Sequence, residues 1–204
     1  MKNIKFEYNI PSFYIPLIDQ EQLKNAKLYS NRNLFLLDLK KNIDVLEIGT
    51  LGGEHAEIIN NIVNPKRLDL IDLFNCDDLH NNNFTKQNHF EYVKNKFTNN
   101  KNIFLYQGFS CDILKTLNHP YDYIYIDASH DYNSVKNDFL ASSHLFKYDT
   151  IIGFNDYIIQ DLNGYRFGVI NFINQFLSIN KDWEVIGFAF NPMMYSDIYI
   201  RKFR

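Results

Sequence analysis

The chain lacks most of the features that would assign it to a specialised class. Cysteine is scarce: Cys76 and Cys111 are the only two in 204 residues. They form no C-x-x-C pair and read as reduced thiols in a cytoplasmic protein. No apolar run approaches the ~18–20 residues of a membrane span. The opening residues Met1–Glu7 lack the apolar centre of a signal peptide, so the expected location is the cytoplasm, away from membranes. There is no basic block and the net charge is −3, which makes nucleic acid a poor default partner. Neither a repeat nor a linker is visible, and 204 residues suffice for one sizeable α/β domain but hardly two. The whole chain, 1–204, is therefore expected to be one domain, with residues 1–40 as a helical cap or lid and 43–204 as its core. The run Asn81-Asn82-Asn83 reads as compositional drift.

Two phosphate-binding patterns are missing as well. The glycines of Val45-Leu46-Glu47-Ile48-Gly49-Thr50-Leu51-Gly52-Gly53-Glu54-His55-Ala56 do not follow G-x-G-x-x-G, and G-x-x-x-x-G-K-[ST] occurs nowhere. What this stretch does contain is an apolar run ending at an acidic residue, a glycine turn and a helix-like segment. A strand feeding a helix through such a turn makes a nucleotide-sized crevice. Glycine lets the backbone turn tightly there and a ligand approach. Glu47 precedes the turn, where it would repel a pyrophosphate and attract an ammonium group. That points away from NAD and ATP and towards S-adenosylmethionine (SAM), a cationic sulfonium with an amino acid head and no phosphate.

Hydrophobic periodicity predicts a helical segment over 16–40, with a possible break near Ser30-Asn31. Strands are predicted at Ile43–Ile48, Arg67–Asp72, Asn102–Gln107, Tyr121–Asp127, Thr150–Asn155, Trp183–Phe190 and Ile198–Lys202. Helices are predicted at Gly52–Val63, His89–Thr98, Ser110–Leu117 (with Ser110 as N-cap), Asp131–Phe146 and Phe167–Ile179. The long polar loop Phe74–Asn88 has the length of a lid or binding loop. Alternating strands and helices imply a parallel, doubly wound sheet. The last two strands are joined by Asn191–Asp197 with no helix between, so one is antiparallel.

Four strands end in acidic or amide groups: Glu47, Asp72, Asp127 and the pair Asn155-Asp156. In a parallel sheet these ends share one edge, where ligands bind. Each could equally cap the helix or turn that follows.

Taken together, these segments resemble the class I SAM-dependent O-methyltransferases, in particular the catechol-type and bacterial sugar O-methyltransferase branches. Val45–Ala56 resembles their LEIGT-x-x-G motif. Gly108-Phe109-Ser110-Cys111-Asp112-Ile113-Leu114 resembles their G-x-S-x-x-x-L segment. Asp127-Ala128-Ser129-His130-Asp131-Tyr132-Asn133-Ser134-Val135 resembles a D-x-x-H-x-Y-x-x-V signature, and Ile151–Tyr157 resembles a strand ending in D-D-Y or D-N. The likeness spans about residues 43–180. It departs at Phe146–Thr150, in place of a Pro-Gly-Gly turn, and at Glu54-His55, in place of Tyr-Ser.

The resemblance implies a Rossmann-like α/β fold of about seven strands, mostly parallel, with an antiparallel C-terminal hairpin and helices on both faces. It also implies SAM bound by Glu47, Gly49, Thr50, Gly52, Asp72, Ser110 and Asp127, with Asp72 on the ribose. Phe74 and Tyr106 are candidates to stack on adenine, although core packing suits most aromatics better. Asp127, Asn155 and Asp156 match the two-carboxylate, one-amide set that holds Mg²⁺ in catechol-type relatives, with the adjacent pair in swapped order. Such a metal would acidify an acceptor hydroxyl. His130, three residues past Asp127, is the candidate general base, and Asp127 its catalytic partner. Tyr14, Tyr157 and Tyr165 are candidates for the acceptor pocket, and His80 and His89 for a lid over it. The expected acceptor is a small polar hydroxyl compound, and the resemblance implies a sugar or sugar-bearing metabolite. A homodimer is compatible with the sequence. The competing readings are a scaffold without turnover and a nucleotide-dependent oxidoreductase.

Overall fold

The computed structural model describes residues 4–5, 13–76, 88–191 and 195–203. Its elements in chain order are α1 (Gln20–Leu23), β1 (Lys27–Tyr29), α2 (Arg32–Asp38), β2 (Asp44–Ile48), α3 (Glu54–Val63), β3 (Arg67–Asp72), α4 (His89–Lys96) and β4 (Ile103–Gln107). There follow α5 (Ser110–Thr116), β5 (Tyr121–Ile126), α6 (Tyr132–Ser142), β6 (Phe146–Phe154), α7 (Val169–Ile179), β7 (Trp183–Phe190) and β8 (Ser196–Lys202). The strands form one sheet in the order β1-β7-β8-β6-β5-β2-β3-β4. β8 runs antiparallel to both β6 and β7, and every other pairing is parallel.

The inner strands are buried on both faces, and their side chains alternate between two cores. On β5, Ile124 and Ile126 join Phe139, Phe172 and Phe176 beneath α5, α6 and α7. Tyr123 and Tyr125 point the other way, into a core with Phe35, Ile59 and Val93 beneath α2, α3 and α4. Helices therefore cover both faces, and the doubly wound expectation holds. The chain steps outward from β2 to β3 and β4, then returns to β5 on the other side of β2. This reversal opens a crevice beyond the carboxyl ends of β2 and β5.

The sheet has eight strands rather than seven, and the difference lies in the N-terminal segment. Residues 16–40 are not one helical stretch. They form a single turn at α1, an edge strand at β1 and a short helix at α2. β1 pairs with β7 through Lys27↔Gly187 and Tyr29↔Ala189. Buried Gln22 donates from Nε2 to the carbonyls of Leu177, Asn180 and Trp183 at 2.9–3.2 Å. The segment is thus bound to the sheet edge, and tertiary pairing overrides its helical periodicity. The expected break is real, because the Asn31 side chain accepts from Leu34 N and caps α2.

Two further expectations change. Ser110 is the first residue of α5, behind Phe109 at the N-cap, and makes no capping bond. Strand β6 starts at Phe146, so α6 stops earlier than predicted. Among the described residues no helix is long and apolar enough to cross a membrane.

Candidate active site

The glycine turn is shaped by contacts from neighbouring strands. Gly49 N donates to Ile71 O at 2.8 Å, and Asp127 N donates to Ile48 O at 2.7 Å, so the ends of β2, β3 and β5 are tied together. Gly49 has φ +90°, and a Cβ there would sit 2.1 Å from the Asp127 carbonyl oxygen. Only glycine allows this approach. Asp72 closes the turn. Its Oδ2 accepts from Thr50 N and Leu51 N, each at 2.9 Å, and its Oδ1 accepts from Phe74 N at 2.7 Å.

Above this turn lies a cavity of about 690 Å³, the size of a pocket for a cofactor-like molecule. Glu47, Gly49, Thr50, Asp72, Ser110 and Asp127 all line it, so the structure brings together most of the expected cofactor residues. Two do not reach it. Gly52 lies in the turn beneath, with its carbonyl accepting from Lys96 Nζ at 3.1 Å. Phe74 is only 1% exposed, its ring set edge-on against His89 and Phe90, so it is core and has no free face to stack on adenine. The aromatic at the cavity is Phe109, which is 70% exposed. Tyr106 is likewise elsewhere, its hydroxyl accepting from Arg67 at 3.0 Å. Ser110 lines the cavity, but its hydroxyl is hydrogen-bonded to Asp138, which lines it too.

The least expected feature of the wall is a buried pair. Glu47 Oε1 and His55 Nδ1 lie 2.9 Å apart, and both residues line the cavity. Burial, with the charge of Asp127 adding, pushes the Glu47 carboxyl well above its usual range. Burial, helped by Arg32, pulls His55 down to about 4. His55 is therefore neutral at pH 7, burial favours the protonated form of Glu47, and in that form the carboxylic acid donates to Nδ1. Glu47 Oε2 and His55 Nε2 are buried without a protein partner. In this state Oε2 is an acceptor and Nε2–H a donor. That pair complements the ammonium and carboxylate of an amino acid head group. In sequence His55 stood out only as part of the Glu54-His55 departure from Tyr-Ser.

A second cavity, of about 630 Å³, adjoins the first. Arg32 and Asp127 line both. Asn155, Asp156, Asp197, Phe190 and Tyr195 line the second only. At the junction His130 Nε2 lies 3.4 Å from Asp127 Oδ1 and 3.7 Å from Asp156 Oδ2. Burial works against charging His130, but the two carboxylates outweigh it and its pKa is raised. Asp197, buried and hydrogen-bonded to the Tyr125 hydroxyl at 2.8 Å, is pushed up to about 6 mainly by burial.

The set Asp127, Asn155 and Asp156 does not fit Mg²⁺. Asn155 Nδ2 donates to Tyr125 Oη and Asp197 Oδ1, each at 3.2 Å, which fixes the amide and leaves Oδ1 as its only ligating atom, so the misfit lies with the carboxylates. The Asp127 carboxylate faces the His130 imidazole on one oxygen and the Arg32 guanidinium, Nη1 at 3.7 Å, on the other. Among the described residues no three His, Cys, Asp or Glu side chains are grouped to hold a metal. Of the other candidates, Tyr157 donates to Asn174 away from both cavities, and Tyr14 and Tyr165 are exposed outside them. His89 is buried against Leu51 O at 2.8 Å and supports the glycine turn. His80 and most of the expected lid loop lie outside the described residues.

A ligand crevice at the switch point of a doubly wound sheet with an antiparallel closing strand, entered by a non-phosphate glycine turn, defines a class I methyltransferase core. The sequence profile of the methyltransferase domain family matches residues 46–157, and the chain belongs to that family of SAM-dependent enzymes. Solved structures share the fold. An O-methyltransferase from Bacillus cereus in complex with S-adenosylhomocysteine is similar at TM-score 0.59 and 16% identity, over 83% of this chain and 78% of that one. The O-methyltransferase TomG from Streptomyces achromogenes, involved in tomaymycin synthesis and solved with SAM, gives TM-score 0.63 and 15% identity over 95% and 93%. An rRNA methylase described from Clostridium thermocellum gives 0.62 and 12% over 84% and 93%. No curated protein is significantly similar in sequence.

Proposed function

We propose that the chain methylates a hydroxyl oxygen of a small, neutral, polyhydroxylated acceptor of the sugar type, with SAM as donor. The observation that carries this reading is the Asp127–His130 pair at the junction of the two cavities. SAM occupies the first cavity, its amino acid head on Glu47 and His55 and its ribose near Asp72. The acceptor occupies the second. There the acceptor oxygen attacks the methyl carbon in line. The O–C bond forms as the C–S bond breaks, the electron pair goes to sulfur, and S-adenosylhomocysteine leaves. The hydroxyl proton passes to His130 Nε2, and Asp127 stabilises the imidazolium. Alignment between two walled cavities and exclusion of water supply the rest of the acceleration.

The second cavity supports a neutral polyol. Asp127, Asp156 and Asp197 supply acceptors for hydroxyl groups, Asn31 and Asn155 supply amides, and Phe190 gives an apolar face. Three carboxylates against one guanidinium disfavour phosphate-bearing acceptors and nucleic acid, as does the net charge of −3. The test is calorimetric titration with S-adenosylhomocysteine, followed by an acceptor screen read as conversion of SAM. Methylation of neutral glycosides supports the reading. Methyl transfer only to RNA or to amines, or no binding of S-adenosylhomocysteine, refutes it.

A further inference from the structure

The positive charge in the acceptor site comes from an unexpected part of the chain. Arg32 opens α2, in the segment the sequence suggested as a helical cap. Its position is set by long-range contacts. β1 is paired to β7, and Phe35, three residues on, is stacked on Tyr199 with centroids 3.4 Å apart. Arg32 Nη1 then reaches 3.1 Å from the Tyr125 hydroxyl and 3.7 Å from Asp127 Oδ2. It is one of two residues, with Asp127, that line both cavities.

We infer that Arg32 takes the place of a divalent cation at the acceptor oxygen, and that methyl transfer by this chain is independent of metal. The inference rests on the O-methyltransferase reading above and concerns how its site is charged. A metal at Asp127 and Asp156 needs free carboxylate oxygens. Here one Asp127 oxygen faces Arg32 and the other faces His130, which also faces Asp156 Oδ2 at 3.7 Å. The guanidinium carries five N–H donors and a charge that persists at all working pH values. One donor is spent on Tyr125, whose hydroxyl passes the hydrogen-bond chain to Asp197. The fixed charge stands where negative charge develops on the acceptor oxygen as its proton leaves for His130, and such preorganised charge lowers the barrier. Because Arg32 belongs to the N-terminal segment, the acceptor site is incomplete without residues that precede the methyltransferase core.

The test uses Mn²⁺ as probe, titrated into the full chain saturated with S-adenosylhomocysteine and followed by the EPR signal of the free ion. The wild-type chain is expected to show no Asp127-dependent site tighter than ~1 mM. Arg32→Gln removes the charge that compensates Asp127 and is expected to bind Mn²⁺ at least ~10-fold more tightly than wild type. Arg32→Lys keeps the charge and is expected to behave as wild type. A wild-type site tighter than ~1 mM that Asp127→Asn abolishes overturns the inference, and so does an Arg32→Gln affinity equal to wild type. If Arg32→Gln does not fold, the wild-type and Asp127→Asn titrations decide alone. Stabilisation by S-adenosylhomocysteine in the same samples reports separately on the methyltransferase reading, so failure of one is distinguishable from failure of the other.

Discussion

Glu47 and His55 meet at 2.9 Å in the wall of the cofactor cavity, and burial favours the uncharged form of both. Each is pushed towards neutrality by the same cause, burial, acting in opposite directions on an acid and a base. The pair thus stores one proton between two residues. Folding takes that proton to a fixed place, and this ties stability to pH in a way neither residue would alone.

The linkage has a definite sign. The raised Glu47 pKa gives stability that is full below the ordinary value of 4.5 and is lost as pH rises. The lowered His55 pKa gives stability that is full above 6.5 and is lost as pH falls towards about 4. Between 4.5 and 6.5, with folded Glu47 protonated, folded and unfolded pairs bind the same number of protons, so the two slopes cancel. Above pH 6.5 only the Glu47 slope remains, at about 1.4 kcal/mol per pH unit for as long as folded Glu47 stays protonated. Urea unfolding at several pH values from 5 to 8.5 is expected to show a plateau and then a decline, and Glu47→Gln is expected to remove the decline. An equal decline in both proteins refutes the neutral pair.

Gly49 sets the closest backbone approach in the site. Any side chain there meets the Asp127 carbonyl carbon at 2.4 Å and oxygen at 2.1 Å, on a backbone with φ +90°. Gly49→Ala is expected to destabilise the fold by roughly 3 kcal/mol or more and to abolish S-adenosylhomocysteine binding. The measurement is the denaturation midpoint with and without that ligand. A variant within about 0.5 kcal/mol of wild type would mean that β2 and β5 part easily.

Asp72 joins structure to binding, since one carboxylate gathers the N–H groups of Thr50, Leu51 and Phe74. Asp72→Ala leaves three backbone donors without their acceptor. The expected cost is about 2–4 kcal/mol, together with a loss of at least ~10-fold in S-adenosylhomocysteine affinity if the same carboxylate also meets the ribose. Unchanged affinity in a folded Asp72→Ala variant would confine the residue to holding the turn.

How much of this was legible in sequence depends on the range of the forces involved. Strands such as Arg67–Asp72 and Trp183–Phe190 were readable residue for residue because an apolar run between turn signals is a local pattern. The cavity residues Glu47, Asp72 and Asp127 followed from the rule that parallel strands share one edge. β1 was not readable. Three residues become a strand only because β7 offers an open edge and Gln22 finds carbonyls more than 150 positions away. Arg32 was hidden for the same reason, and so was Asp197, whose partner Tyr125 lies 72 positions earlier. Phe109 was missed, and Phe74 taken instead, because which ring the α4 face buries is a tertiary matter with no local signal in sequence.

His130 is expected to carry the proton transfer, and the prediction separates chemistry from binding. Its ring packs 4.9 Å from that of Phe167, and the carbonyl of His130 accepts from Gly168 N, so backbone and ring are both held in place. His130→Ala removes the proton acceptor but leaves the cofactor turn intact. The expected loss in kcat is about 10²–10⁴-fold, with S-adenosylhomocysteine affinity within about threefold of wild type, since Nε2 faces Asp127 and Asp156, which line the second cavity. Single-turnover methyl transfer to the acceptor identified in the screen checks the first figure, and calorimetry the second. A variant that keeps its turnover would move the proton to Asp127 or to solvent. One that loses its cofactor affinity instead would make His130, which lines the first cavity, a cofactor contact rather than the base.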